Sequence, residues 1–315
     1  MNKKYIIIII LFTIIILGVI ILNILNKNNV NNENSILKDE YYIKDNGIYE
    51  KIDNINENAI NTNISKINEI CNKYLKDMNI YFTLIPNKEY YLDEQNRQQF
   101  NQVENIIINE LNNNIKYFTI KETLELDDYY RTDIHWKQEC LQNTIEKFQQ
   151  ELNINSENSN NKYEEKSLGN FYGQYYRKIN DNNIKPDELK YLSNEVLENC
   201  TVYNLENKKE EKIYNLDKVN ETKNKYDLFL SGATSISIVK NKEIDNNKKL
   251  ILFRDSFGSS ITPMLVENYE EIILIDIRYV NYTILENYIN FEKYKNADVL
   301  FLYNNRVINK SGIFK

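Results

Sequence analysis

The stretch Arg131-Thr132-Asp133-Ile134-His135-Trp136 holds the only histidine and the only tryptophan of a 315-residue chain. In an extended loop, positions two apart face the same side. A carboxylate at Asp133 can therefore hold the His135 ring in one tautomer and stabilise the cation formed when the ring takes a proton. A second reactive group stands about 120 residues later, in Arg254-Asp255-Ser256-Phe257-Gly258. An apolar run precedes this segment and a helical pattern follows it. Ser256 is thereby presented on a tight turn beside the free N–H groups and positive end of a helix. An oxyanion formed by a serine nucleophile needs such donors already in place. A serine hydroxyl also needs a base within hydrogen-bond reach, and His135 is the one imidazole available. The same residues have plainer uses. A serine or aspartate at that turn can simply cap the helix, and a lone histidine is more often structural. With one histidine and no cysteine cluster, Asp133 and His135 make a poor metal site, and no cofactor is implied.

Local patterning gives the elements that must position these groups. Ile60, Ile64, Ile67, Cys71, Tyr74 and Met78 recur at helical spacing, as do Phe100, Val103, Ile107 and Leu111, and again Leu141, Ile145, Phe148 and Leu152. Ile80–Pro86, Lys116–Ile120, Leu250–Phe253, Glu271–Asp276 and Ala297–Tyr303 read as strands. Helices are expected through Met264, Leu265 and Tyr269 and around Ile284, Tyr288 and Phe291. A turn is placed at Asn46-Gly47. Residues 162–245 read as short mixed strands and loops. Two clusters there, Gly169–Tyr176 and Tyr226–Gly232, hold three of the seven glycines. Strands alternating with helices predict an α/β domain built on a parallel sheet, with Ser256 at the carboxyl end of a strand, where such sheets bind ligands.

Charged residues are 27% of the chain and the net charge is −7, with no basic stripe, which excludes nucleic acid as the expected partner. Cys71, Cys140 and Cys200 have no metal-ligand spacing and read as buried thiols. From Tyr5 to Leu25 the chain is apolar except for Thr13, Gly18 and Asn23. As a helix this run spans roughly 30 Å, the thickness of a bilayer core. No small-residue cleavage site follows, so the segment reads as an uncleaved anchor rather than a signal peptide. The expected organisation is a cytoplasmic stub (1–4), a single transmembrane helix (5–25), a polar tether (26–40) and one catalytic domain (41–315). Lys3 and Lys4 favour a cytoplasmic N-terminus, which places that domain outside the cell membrane.

Six motifs in order carry a family resemblance: "NGIY" at Gly47, "IPNKEYY" from Ile85, "YYRTDIHW" from Tyr129, "NFYGQYY" from Asn170, "YDLFLSG" from Tyr226 and "LFRDSFGSSITPMLVENYEEIILIDIRY" from Leu252. Together they resemble the bacterial DHHW family, related to the SGNH-type proteins of alginate O-acetylation. The resemblance implies an SGNH-hydrolase-like domain with Ser256 as nucleophile, His135 as base and Asp133 as the orienting carboxylate. It also implies Arg278, with Gly258, on the oxyanion or substrate side. Ile134 stands where the family name has its first histidine, so the pattern here is D-x-H-W. The implied function is a membrane-anchored O-acetyltransferase acting on a cell-envelope or secreted polysaccharide. Its implied partner is a multi-spanning membrane-bound O-acyltransferase that supplies acetyl groups. The alternatives are a polysaccharide acetylesterase with the same triad, or an inactive tethered binding or assembly module. On this reading Arg278→Ala impairs turnover without unfolding the protein. Lys88 reads as a solvated lysine first and a substrate contact second, and Tyr172, Tyr175 and Tyr176 as core or surface aromatics that can also line a sugar groove.

Overall fold

The computed structural model describes residues 40–154 and 162–315. The predicted anchor and most of the tether lie outside these residues. Among the described residues, no helix is long and apolar enough to cross a membrane.

Residues up to Lys51 and residues from Ile52 onward form two separate compact units. The first shows a hairpin of β1 (Tyr41–Lys44) and β2 (Gly47–Glu50), paired Tyr41 to Glu50 through Lys44 to Gly47. Its turn is Asp45-Asn46, one residue before the expected position, with φ of 48° and 61°. Two consecutive positive φ values are what a two-residue hairpin loop requires, and Asp and Asn tolerate them.

The second unit is an α/β fold around a large central sheet. It opens with helix α1 (Glu57–Tyr74), started by the Asn56 side chain, which accepts from the Ala59 N–H at 3.1 Å. The helix ends before Met78, and Asp77 turns the chain with φ 65°. Strand β3 (Asn79–Ile85) follows, then α2 (Glu94–Glu110), capped by Asp93, then β4 (Ile115–Tyr117), the site loop and α3 (Gln142–Glu151). The middle of the chain supplies β5 (Glu164–Phe171), α4 (Gln174–Ile179), β6 (Asp187–Ser193), α5 (Glu195–Asn199), β7 (Thr201–Asn204), β8 (Lys209–Lys212), α6 (Leu216–Glu221) and β9 (Ile236–Lys240). The last third runs β10 (Lys249–Arg254), α7 (Gly258–Leu265), β11 (Glu271–Ile275), β12 (Asp298–Asn304) and α8 (Asn305–Ile308). Short 3₁₀ turns stand at Tyr282–Asn287 and Phe291–Tyr294, where the spacing predicts an α-helix.

Eight strands form one sheet in the order β4-β3-β12-β10-β11-β9-β7-β8. The first five are parallel, as the sequence pattern predicts. The sheet as a whole is mixed, because β9, β7 and β8 extend it antiparallel. These three come from the stretch with the weakest patterning: β8 is Lys-Glu-Glu-Lys, an edge strand whose charges give no apolar alternation. β5 and β6 pair as a separate antiparallel ribbon.

Both faces of the parallel strands are buried, which explains their unbroken apolar runs. Ile251, Phe253, Val299 and Phe301 face a cluster that includes Ile60, Ile64 and Ile67 of α1 and Phe100, Val103 and Ile107 of α2. Leu250, Leu252, Leu300 and Leu302 face a second cluster with Phe148 of α3, Ile261, Met264 and Leu265 of α7, and Tyr129, Tyr130 and Trp136 of the site loop. The chain leaves β10 toward β11 on one side and leaves β3 toward β4 on the other. The carboxyl ends of β10, β12 and β3 therefore lie at a topological switch point, the crevice such sheets use for ligands. Cys71 and Cys200 are buried, Cys140 is partly so, and all three are free thiols.

Candidate active site

The turn after β10 presents Ser256. The Asp255 carboxylate accepts from the Phe257 N–H at 2.9 Å and from the Asn304 N–H at 2.6 Å, tying the turn to the end of β12. Its complete burial pushes its carboxyl upward from the ordinary value. The Gly258 N–H donates back to the Asp255 carbonyl at 3.2 Å, and the Ser259 N–H to the Ser256 carbonyl at 3.1 Å. The Ser256 N–H donates to no acceptor among the described residues. Ser256 is only half-buried, whereas the turn residues around it are buried.

The loop carrying Asp133 and His135 folds back on itself. Tyr129 and Trp136 form an antiparallel bridge, the Tyr130 N–H donates to the His135 carbonyl at 3.1 Å, and the Lys137 N–H to the Asp128 carbonyl at 2.7 Å. Asp133 and His135 therefore sit at a hairpin tip. Ser256 and His135, 121 positions apart, meet there with Oγ 2.8 Å from Nε2. On the other side of the ring Nδ1 lies 2.5 Å from Asp133 Oδ1, which also accepts the His135 N–H at 3.0 Å. Burial alone would raise the Asp133 carboxyl, but the charge and hydrogen bonds of His135 and the Gln174 N–H bring it down to about 2. An ionised carboxylate only accepts, so the ring proton belongs on Nδ1 and the Nε2 lone pair faces the Ser256 hydroxyl. Asp133 is 0% and His135 5% exposed, so the serine is the member of the relay that solvent reaches.

Three separate elements hold the hairpin tip. Lys88, just after β3, is 1% exposed rather than solvated. Its ammonium donates to the carbonyls of Tyr130, Arg131 and Asp133 at 3.0, 3.1 and 2.9 Å, and lies 4.8 Å from the centre of the Tyr175 ring. Asp187 on β6 accepts the Arg131 N–H at 3.0 Å, and the N–H and hydroxyl of Thr132 at 2.8 and 2.6 Å. At the start of α4, the Gln174 N–H donates to Asp133 Oδ2 at 2.6 Å. Gly173 must be glycine: a Cβ there would stand 2.2 Å from the Asp133 Cβ and 2.4 Å from its Oδ2. The His135 ring is clamped face to face by Tyr226, with centroids 3.9 Å apart, and leans on Phe257 at 4.9 Å. Trp136 is fully buried, and its Nε1–H donates to Ser260 Oγ at 2.8 Å. The Tyr226 hydroxyl donates to the same oxygen at 2.7 Å. This ties the loop to α7 and hence to the serine turn.

Ser256, His135 and Asp133 are thus brought together. Gly258 lies one turn onward with its N–H engaged by Asp255. Arg278 follows β11 and donates from Nε and Nη2 to the two oxygens of the buried Asp276 at 2.8 and 2.6 Å. Burial would lower the Arg278 guanidinium's pKa, but Asp276 raises it above its ordinary value. No hydrogen bond joins Arg278 to Ser256 or His135. Tyr175 is buried, while Tyr172, 39% exposed, packs on Tyr176 with centroids 4.2 Å apart. Sequence reading missed Lys88, Asp187, Gln174 and Tyr226 as supports of the site. Gly173 and Tyr226 fall inside clusters already conspicuous for their glycines. Lys88 lies inside the IPNKEYY motif, but nothing local shows what it or Asp187 holds, because each contacts a loop more than forty positions away. Among the described residues, no group of three or more His, Cys, Asp or Glu side chains is arranged to hold a metal ion.

The family model described as "DHHW protein" matches residues 26–275. No curated protein matches the chain. Among solved structures, a DHHW family protein from Eubacterium siraeum is similar with a TM-score of 0.67 at 20% identity, over 87% of this chain and 92% of that one. Bacillus cereus PatB1 is similar with a TM-score of 0.67 at 16% identity, over 88% of this chain and 99% of its own. PatB1 carrying a sulfonyl adduct gives the same TM-score, 0.67, at 16% identity, over 87% of this chain and 98% of its own. At these identities the likeness is one of fold.

Proposed function

The chain belongs to the DHHW family, and from that premise we propose that it is a membrane-anchored, extracytoplasmic O-acetyltransferase acting on a cell-envelope or secreted polysaccharide. The observation that carries the reading is the unbroken relay from Asp133 through His135 to the half-exposed Ser256 hydroxyl. In the first half-reaction His135 Nε2 takes the hydroxyl proton as Ser256 Oγ bonds to the acetyl carbonyl carbon. The unpaired Ser256 N–H is the donor available to the developing oxyanion. The ester bond to the donor alcohol then breaks, that alcohol leaves with the proton from His135, and an acetyl-serine remains. In the second half-reaction a sugar hydroxyl gives its proton to His135 and attacks the acetyl group, and Ser256 recovers its proton. Asp133 stays ionised and stabilises the imidazolium in both halves. The site is SGNH-like in this sense: a serine at a strand's carboxyl end served by an Asp-x-His loop.

The apolar Tyr5–Leu25 segment would hold the domain at the outer face of the cell membrane, beside a multi-spanning acyltransferase that delivers acetyl groups. The Tyr172–Tyr176 pair, with Tyr172 exposed and Tyr176 partly buried, lies next to the Gly173-Gln174 support of Asp133 and offers a platform for a sugar ring. The test is to incubate the purified full-length chain with an activated acetyl ester, with and without oligosaccharide, beside its Ser256→Ala variant. Acetyl groups appearing on sugar only with the wild-type protein support transfer. Acetate release alone, unaffected by sugar, replaces transferase with esterase. Absence of both, together with no Ser256-dependent labelling by a sulfonyl fluoride, leaves a tethered binding module.

A further inference from the structure

Arg254, the last residue of β10, is 1% exposed, and its Nε and Nη2 have no hydrogen-bond partner among the described residues. The neighbour that would pair with it is Asp276. β10 and β11 run in parallel register with Phe253 opposite Ile275, so the next pair, Arg254 and Asp276, points to the same face. Both Asp276 oxygens are already taken by Arg278. The remaining nitrogen of Arg254, Nη1, donates to the Asp255 carbonyl at 3.2 Å and to Ser259 Oγ at 2.9 Å. Gly258 makes room for this arrangement: a Cβ there would stand 2.7 Å from the Arg254 Cβ and 2.8 Å from its Cδ. A buried cation with two donors lacking protein acceptors costs stability, and replacement by an apolar side chain of similar volume is often neutral or favourable. Its placement therefore points away from a stabilising role.

The Asp255 carbonyl and the Ser256 N–H are two ends of one planar peptide group. Withdrawing electron density at the oxygen makes the N–H a stronger donor, and hydrogen bonds in such a chain strengthen one another. That N–H is the one left unpaired beside the nucleophile. We propose that Arg254 is a positioning residue for acyl transfer, which polarises the Asp255–Ser256 peptide so that the Ser256 N–H holds the oxyanion, with Gly258 conserving the space its side chain requires. The proposal rests on the serine chemistry above. It assigns to Arg254 a role exerted through the backbone, with no contact to substrate.

The test compares the full-length wild type with Arg254→Met, Arg254→Lys and Ser256→Ala in turnover of para-nitrophenyl acetate, with thermal unfolding alongside. Losing an oxyanion donor outright costs roughly 10²–10³ in rate, so weakening one predicts a smaller fall. Arg254→Met should unfold no earlier than wild type, keep its KM within about twofold, and lose kcat by about tenfold or more. Arg254→Lys should recover part of that loss, because an ammonium keeps the charge. In selectively labelled protein the Ser256 amide proton should move upfield in Arg254→Met. Wild-type kcat in Arg254→Met overturns the proposal, as does equal kcat in the Met and Lys variants. Unfolding of Arg254→Met also overturns it, since the guanidinium would then be structural. Undiminished turnover in Ser256→Ala would instead sink the serine chemistry itself, so the two failures are separable.

Discussion

Replacing Lys88 with methionine removes one ammonium that holds three carbonyls at the tip of the Asp133–His135 hairpin. A buried acceptor left without a donor costs about 1–3 kcal/mol, so three give roughly 3–9 kcal/mol. Opposing this is the cost of keeping the ammonium buried. Burial pulls the Lys88 pKa from 10.5 to about 8, against the charges of Glu89, Asp133 and Asp187, which hold the proton on, and with help from Arg306, which pushes it off. That shift is worth about 3 kcal/mol that the variant recovers at neutral pH. The middle of the range leaves a net loss of about 3 kcal/mol, or roughly 5–10 °C in Tm. Catalysis should suffer more, because a hairpin tip displaced by about 1 Å costs about a hundredfold in rate. The pH dependence separates the two roles. As pH rises through about 8 the wild-type amine keeps two donors for three carbonyls, and kcat should fall. Stability should not fall with it. Between the folded value near 8 and the ordinary value of 10.5 the unfolded chain binds more protons, so stability rises with pH. The assay is para-nitrophenyl acetate turnover from pH 6 to about 9.5, with thermal unfolding at each pH. Wild-type kcat and Tm in Lys88→Met, or the same alkaline limb in both proteins, would refute the reasoning.

Gly173→Ala should fold with a loss of about 1–3 kcal/mol from overpacking and drop kcat by about a hundredfold, since its Cβ displaces Asp133; unchanged turnover with the substitution verified by mass spectrometry would count against Asp133 as the orienting group. Asp133 ionises near 2 in the folded protein against 3.8 ordinarily. Its contribution of about 2 kcal/mol is therefore present above pH 4 and lost as pH falls toward 2, and denaturant titrations should show that slope in wild type but not in Asp133→Asn. Arg278→Ala should lose about 1–3 kcal/mol, because the buried Asp276 loses two guanidinium donors and keeps the Arg278 N–H at 3.1 Å, with the free donors of Arg254 beside it to take up part of the pairing. Chemical denaturation measures that loss directly, and turnover by the folded variant tests the sequence-based expectation of impaired activity without unfolding. Trp136→Phe should lose about 1–2 kcal/mol with the hydrogen bond to Ser260, and an unchanged unfolding midpoint would show that bond to be immaterial.

Local patterning identifies most elements of the parallel half of the fold, because there each strand is buried on both faces and each flanking helix on one. Ile60, Ile64 and Ile67 or Phe100, Val103 and Ile107 are spaced by the helix itself, whatever packs on them. The antiparallel extension was not legible, since Lys209–Lys212 joins the sheet through backbone hydrogen bonds that impose no residue type. The segment around Tyr288 shows the opposite failure. Its apolar spacing suits an α-helix, yet the chain forms 3₁₀ turns and leaves Tyr288 51% exposed.

The reactive pieces of the site were fixed by sequence alone: a single imidazole two residues from a carboxylate, and a serine on a turn between a strand and a helix. Such features depend on residue type and on neighbours along the chain. Tertiary structure decided that the imidazole meets the serine across 121 positions and that Lys88, Asp187 and Gln174 converge behind the hairpin. It also left Arg254 buried while Arg278 took both oxygens of Asp276. These outcomes follow from strand order and register, which bring distant strand ends side by side. A lysine or aspartate looks the same in sequence whether its partner is solvent or a loop folded against it from another part of the chain.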